Sequence, residues 1–388
     1  MKFINFLTII CSIFLVGNSN ILAAETAKSS DLGVNDKKVK LNKVLYWAAF
    51  DGSYEKVKNL IEQGAKVNFS DIHADGKTPL HVAVGLGNEA HLDLNKPTDK
   101  SLVEKRLKVV KLLISKGANV KARDFEGKTP LHMAKTKETA ELLIKRGADV
   151  NAQSNIGHTP LMTLTAVYNR NWVNQSVAEV LIKHGADINH KSNGEENSLV
   201  FAVRTYNQEQ VELLVENGAD INFSKKGEDS ALENAILNAM NGKGSKMAEY
   251  LITKGAFLTA GSSLGFSELH WAVNQNNLPL VKTVLAFGAP VDYEDRKGST
   301  PLVLAVVNNN IEIANLLISS GADVNARSKQ WNSPPLFLAK DEKMVRLLLR
   351  SGAEANATDD NGNTYLSYVK DKKLINLIET ANRSNVKH

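Results

Sequence analysis

Four stretches of this chain carry residue types whose spacing is compatible with chemistry. Gly261-Ser262-Ser263-Leu264-Gly265 has the G-x-S-x-G order of a serine nucleophile elbow, and His270 lies close enough in sequence to act as its base. An elbow needs a buried strand before the serine and a helix directly after it, and Gly265 instead opens a repeated phrase (Gly265 to His270). Gly242-Lys243-Gly244-Ser245-Lys246 is phosphate-loop-like but lacks the G-x-x-x-x-G-K-[ST] spacing. Asp359-Asp360-Asn361-Gly362-Asn363 resembles the start of a calcium loop without the bidentate glutamate that would close it. Of the nine histidines, His158, His184 and His190 are scattered without an i, i+4 pair or nearby carboxylates, so no metal set is expected. The single cysteine, Cys11, excludes an intramolecular disulfide and a Cys-based zinc site. No catalytic, cofactor or metal site is expected, and a hydrolase built on Ser263 and His270 is kept as the rival reading.

The elements that would position such residues repeat. Gly-Ala recurs at Gly64, Gly117, Gly147, Gly185, Gly218, Gly255, Gly288, Gly321 and Gly352, with a period of roughly 33 residues stretched by insertions. An apolar helical pattern precedes each glycine, as in Leu112-Leu113-Ile114 and Leu316-Leu317-Ile318. A second phrase, Gly-x-Thr-Pro-Leu, begins at Gly76, Gly127, Gly157 and Gly298. Its threonines (Thr78, Thr129, Thr159, Thr300) suit a helix N-cap, and the next proline suits the first helical position. The glycine after the apolar run suits the left-handed residue that ends a helix. One unit therefore reads as helix, turn, helix and projecting hairpin-like loop. Such a unit cannot bury its own apolar faces, so stability must come from stacked neighbours. The fold class is an all-α solenoid.

These phrases resemble the ankyrin repeat family. Thr129-Pro130-Leu131-His132-Met133-Ala134 and Gly147-Ala148-Asp149-Val150-Asn151-Ala152 match its two signatures. The resemblance covers residues 41–381 as about ten repeats, with a divergent first unit (Leu45 to Ala49) and a truncated last one (Gly362 to Leu366). It implies that His81, His132 and His270 bond backbone in neighbouring loops, and that the asparagines at 68, 151, 189, 222, 325 and 356 are structural. The units around His132 and Phe337 are about three residues short between their helices. Three others are lengthened there: by residues 88–108, near Tyr168 to Trp172, and near Gly242 to Lys246. Ser198, Ala231 and Glu268 stand where the proline should be and Asn197 where the threonine should be, so weaker helix starts are expected mid-array. Trp47, Phe201, Trp271 and Tyr368, one position after the histidine slot, are expected in the core.

Residues 1–24 read as a secretory signal peptide: Lys2, the apolar run Phe3 to Val16, then small residues at Ala23-Ala24. That run would reach only about 21 Å as a helix, short of the ~30 Å hydrocarbon core, so a cleaved leader is expected rather than an anchor. Residues 25–40 read as a flexible polar linker and 382–388 as a polar tail. The net charge of +5 over 388 residues carries no clustered nucleic-acid footprint. What remains is a monomeric, exported scaffold, periplasmic or secreted, that recognises a protein partner; a host-directed bacterial effector or a passive spacer are the variants. The family binds through projecting loops and the first helices. By repeat phase those positions include Phe50, Arg123, Lys225 and Lys226, and the partner-binding set Phe125, Lys128, Arg204, Phe266, Arg296, Lys297, Arg327, Lys329 and Trp331. This set is rich in arginine and aromatics, the types that dominate interface energetics.

Overall fold

The computed structural model describes residues 34–85, 97–166, 175–224, 230–240, 246–258, 266–330 and 333–385. The signal-peptide stretch, the insertion near 168–172, residues 242–245 of the one near 242–246, Ser263, Lys225, Lys226 and Trp331 lie outside these. The array expected over 41–381 divides into two compact units, one up to Asn155 and one from Ile156.

In the first unit the helices are α1 (Val34–Phe50), α2 (Tyr54–Glu62), α3 (Pro79–Val84), α4 (Pro97–Ser115) and α5 (Lys137–Lys145), with a 3-10 turn at Pro130–Met133. The second holds α6 (Pro160–Thr165), α7 (Gln175–Lys183), α8 (Ser198–Arg204), α9 (Gln208–Glu216), α10 (Ala231–Met240), α11 (Lys246–Thr253), α12 (Glu268–Asn274), α13 (Leu278–Ala286), α14 (Pro301–Val307), α15 (Ile311–Ser319), α16 (Glu342–Arg350) and α17 (Lys372–Asn385). Two further 3-10 turns lie at Pro335–Leu338 and Tyr365–Ser367. Among the described residues β pairing is limited to isolated bridges inside hairpins, such as Asp71 with Lys77 and Ser328 with Ser333.

Inner helices of six or seven residues are too short to persist alone, and packing within each unit holds them. Leu45, Val57, Leu80, Val109, Leu113, Leu131 and Leu143 form the buried seam of the first unit. Leu161, Leu181, Leu199, Leu214, Leu251, Leu269, Leu302, Leu317 and Leu348 do the same in the second. The two short repeats explain their 3-10 turns. With about three residues missing, the inner segment stops after four residues, and Thr136 or Asp341 at once caps the next helix.

Three expectations are corrected. The helix starts that lack proline are not weakly capped: the Asn197 side chain accepts from Val200 N–H at 3.0 Å, and Ser230 and Glu233 form a reciprocal capping box. Ser267 caps α12 in the same way with His270. The stretch 25–40 is not wholly a linker, because α1 begins at Val34, and α17 continues through 382–385 of the expected tail. Of the insertion 88–108, the part from Pro97 onward extends α4 by several turns.

Candidate functional site

The residues that suggested chemistry hold the repeats together. His81 Nδ1 accepts from the Thr78 backbone N–H at 3.1 Å and lies 2.8 Å from the Thr78 hydroxyl. Its Nε2 reaches the Lys128 carbonyl of the next hairpin at 3.1 Å. His270 repeats the arrangement, with Ser267 Oγ at 2.8 Å from Nδ1 and the Ser299 carbonyl at 2.8 Å from Nε2. A carbonyl only accepts, so Nε2 carries the proton and donates, which leaves Nδ1 as the acceptor. Burial pushes both imidazoles below the usual histidine value, which favours this neutral form. The Ser267–His270 pair is thus a capping device with both ring nitrogens engaged, and it lacks the free nitrogen that a general base for Ser263 would need.

Hairpin carboxylates are engaged in the same manner. Asp124 Oδ1 accepts from the N–H groups of Glu126 and Lys128, and Asp295 Oδ1 from those of Lys297 and Ser299. In the calcium-like stretch, Asp359 Oδ1 accepts from Asn361 and Asn363, and its other oxygen takes the Tyr368 hydroxyl. The Tyr368 hydrogen bond, followed by these backbone donors, holds the Asp359 carboxyl below its ordinary value. His190 Nε2 lies 3.2 Å from the Gly157 carbonyl, and the His158 ring meets Phe201 edge-on at 5.1 Å.

The asparagine column bridges successive repeats. Asn68 donates to the Gly117 carbonyl and accepts from Asn119 N–H; Asn189 does so with Gly218 and Asp220, Asn222 with Gly255 and Phe257, and Asn325 with Gly352 and Glu354. One amide side chain thereby satisfies a donor and an acceptor of the next helix end. Arg123 reaches forward in the same way to the Gln153 carbonyl, and Arg327 to the Thr358 carbonyl at 2.7 Å and Asp360 at 2.8 Å.

Against this background the residues chosen for partner binding separate into two kinds. Arg327 is a strap between hairpins. Lys329 pairs with Glu294 at 2.8 Å while its stem lies over Gly298, and Lys128 pairs with Glu126. Arg204 bonds Glu196 and the Asn234 side chain. By contrast, Phe125 is 60% exposed although its ring edge covers Gly76, and Phe266 is 37% exposed, edge-on to His270. Arg296 and Lys297 are exposed at a hairpin tip. Phe50 is half-buried against Trp47. The core assignment of the slot after the histidine holds for Trp271, while Phe201 is half-buried. It fails for Trp47 and Tyr368, which are 38% and 56% exposed. Trp47 rests against Tyr46 and Phe50, and the Tyr368 hydroxyl is drawn to Asp359. Sequence reasoning missed these two as surface aromatics because repeat phase alone does not report whether a neighbour covers the slot.

Helix pairs stacked through capped histidines and asparagine bridges define a repeat-array binding protein. The description "Ankyrin repeats (3 copies)" matches residues 101–192, 135–225, 166–262 and 236–328, and "Ankyrin repeat" matches 75–125. These matches cover more than half of the sequence, and the chain belongs to the ankyrin repeat family. Over 105 residues it is 34% identical to alpha-latrocrustotoxin-Lt1a of Latrodectus tredecimguttatus, which is 27% of this chain and 6% of that protein. The family is an interaction module, and protein–protein interaction is the function it supports.

Proposed function

We propose that this protein is an exported, non-catalytic scaffold that holds a protein partner on the hairpin and inner-helix face of its repeats. The observation that carries the reading is that each unit leaves large aromatics exposed: Phe125 at a hairpin and Trp47 on an inner helix in the first, Phe266 at a hairpin and Tyr368 just past an inner turn in the second. Large aromatics in such positions supply contact area at low side-chain entropy cost and anchor interfaces. Arg296 and Lys297, exposed at a hairpin tip, favour a partner of acidic or mixed charge, and the sequence adds Trp331 to the same set by repeat phase. The closed hydrogen bonding of His270 supports a scaffold over a hydrolase.

The signal-peptide order of residues 1–24 supports export to the periplasm or beyond, and among the described residues no helix is long and apolar enough to cross a membrane. Delivery into a host, as an effector, would use the same face and differ only in destination. The test is crosslinking capture by the mature chain from its native compartment, repeated with Arg296→Glu, Lys297→Glu and Trp331→Ala combined. Loss of the crosslinked partner by about ten-fold or more is expected, in line with hot-spot truncations of roughly 2 kcal/mol. Undiminished capture by the triple variant would overturn the assignment of this face.

A further inference from the structure

The cations of the hairpin face are largely tied up inside the molecule, whereas a second group is not. In the first unit, the outer helices α2, α4 and α5 line an open cleft of about 730 Å³. Its apolar wall is Tyr54, Leu112 and Leu142. Over that wall stand Lys108 and Lys111 on α4 and Arg146 just past the end of α5. All three are exposed, and among the described residues none of them forms an ion pair. Glu55 is the one carboxylate in the lining, so the cleft carries a net positive charge above an apolar wall.

The reason lies in the insertion. Pro97 to Lys108 lengthens α4 beyond the nine residues of α2 and α5, and residues 108 and 111 are one helical turn apart on its outward side. Tolerated padding would be free to neutralise those lysines with i, i+4 glutamates, as Arg346 and Glu342 do on α16. Here Glu104 precedes Lys108 by four residues without pairing with it.

We propose that this cleft is a second docking surface, distinct from the hairpin face, and that its occupant is an acidic, amphipathic peptide segment of a partner protein. Carboxylates of such a segment meet Lys108, Lys111 and Arg146, while one or two large apolar side chains enter between Tyr54, Leu112 and Leu142. The charge complementarity selects an anionic occupant. The concave apolar wall selects one that inserts side chains, which a flat anionic bilayer or a bare polyphosphate does not. This inference does not depend on the hairpin-face reading, and the substitutions that test it lie away from that face, where a separate variant serves as the control.

The experiment uses the full mature chain and a fluorescein-labelled peptide with glutamates flanking leucine and phenylalanine at helical spacing, read by anisotropy. Binding is expected to weaken as salt rises from about 50 to 300 mM, through screening of the exposed charges. It is expected to fall about ten-fold or more in Lys108→Glu/Lys111→Glu/Arg146→Glu and to survive in Lys108→Arg/Lys111→Arg. Arg296→Glu/Lys297→Glu on the hairpin face should bind the peptide as the parent does. An unchanged circular dichroism spectrum and melting temperature show that the reversal variant is folded. No binding, equal binding by the reversal variant, or equal binding of a peptide with glutamine for glutamate would overturn the proposal. So would retention on anionic vesicles or inorganic polyphosphate without peptide binding, or self-association of the chain that the same reversal abolishes.

Discussion

Two neighbouring seams in the second unit use the same position with different atoms. Where the Gly321 repeat meets the Gly352 repeat, Asn325 Nδ2 donates to the Gly352 carbonyl at 3.1 Å and Oδ1 accepts from Glu354 N–H at 3.0 Å. One repeat earlier the position holds Asp292, and both its oxygens accept from Asp323 N–H at 3.1 Å. An ionised carboxylate has nothing to donate to the Gly321 carbonyl, so the exchange is one-sided. Burial, with the nearby Asp323 charge as a smaller contributor, raises the Asp292 pKa, while the Asp323 N–H opposes the shift. A one-atom difference thus decides whether a bridge between repeats is reciprocal. Other ties lie alongside: Ser299 Oγ to Ser328 Oγ at 2.9 Å in the earlier seam, and Tyr365 OH to the Ala339 carbonyl at 2.8 Å between the Gly352 repeat and the last unit.

The largest expected effect is where the Gly352 repeat meets the last unit. Tyr365 is 1% exposed, and Tyr365→Ala should destabilise the C-terminal repeats by about 3–5 kcal/mol in chemical denaturation, through cavity formation and an orphaned Ala339 carbonyl. Burial raises the Tyr365 pKa from 10.0 to about 12. The sign follows: its stabilising contribution is complete below pH 10 and lost as the pH rises to about 12, measurable by tyrosinate absorbance alongside unfolding. Next comes the earlier seam. Gly298 has φ +66°, and a Cβ there would stand 2.8 Å from the Lys329 Cβ. Gly298→Ala should cost roughly 2 kcal/mol in the same assay, from left-handed strain and displacement of Lys329. A cost near zero would mean that this hairpin is looser than its packing implies.

Much of this was legible before any coordinates. The Gly-Ala and Thr-Pro-Leu phrases give the helix ends directly, because glycine and capping threonine act on their own backbone. The three-residue deficits near His132 and Phe337 likewise appear as 3-10 turns. What stayed hidden depends on the next repeat. Arg327 and Lys329 look like free cations in the sequence but are tied to Asp360 and Glu294, more than thirty residues away. Lys108 closes the insertion 88–108 and Lys111 follows it without any distinguishing motif, and only the packing of α2, α4 and α5 places them over one apolar wall. Spacing locates a side chain along the repeat but not whether its neighbour supplies a partner.

The account stands most directly on exchanging the two bridging residues, with amide hydrogen exchange at Asp323 and Glu354 as the readout. Asp292→Asn should slow exchange at Asp323 and stabilise by about 1 kcal/mol, while Asn325→Asp should speed exchange at Glu354 by a similar amount. The raised Asp292 pKa adds a pH signature. Its proton-linked stability is present below the ordinary carboxylate value and lost as pH rises through the raised one, a slope that Asp292→Asn removes. Opposite signs for the two variants would bear out reciprocal bridging as what couples the repeats. Equal signs, or no change at either amide, would contradict it.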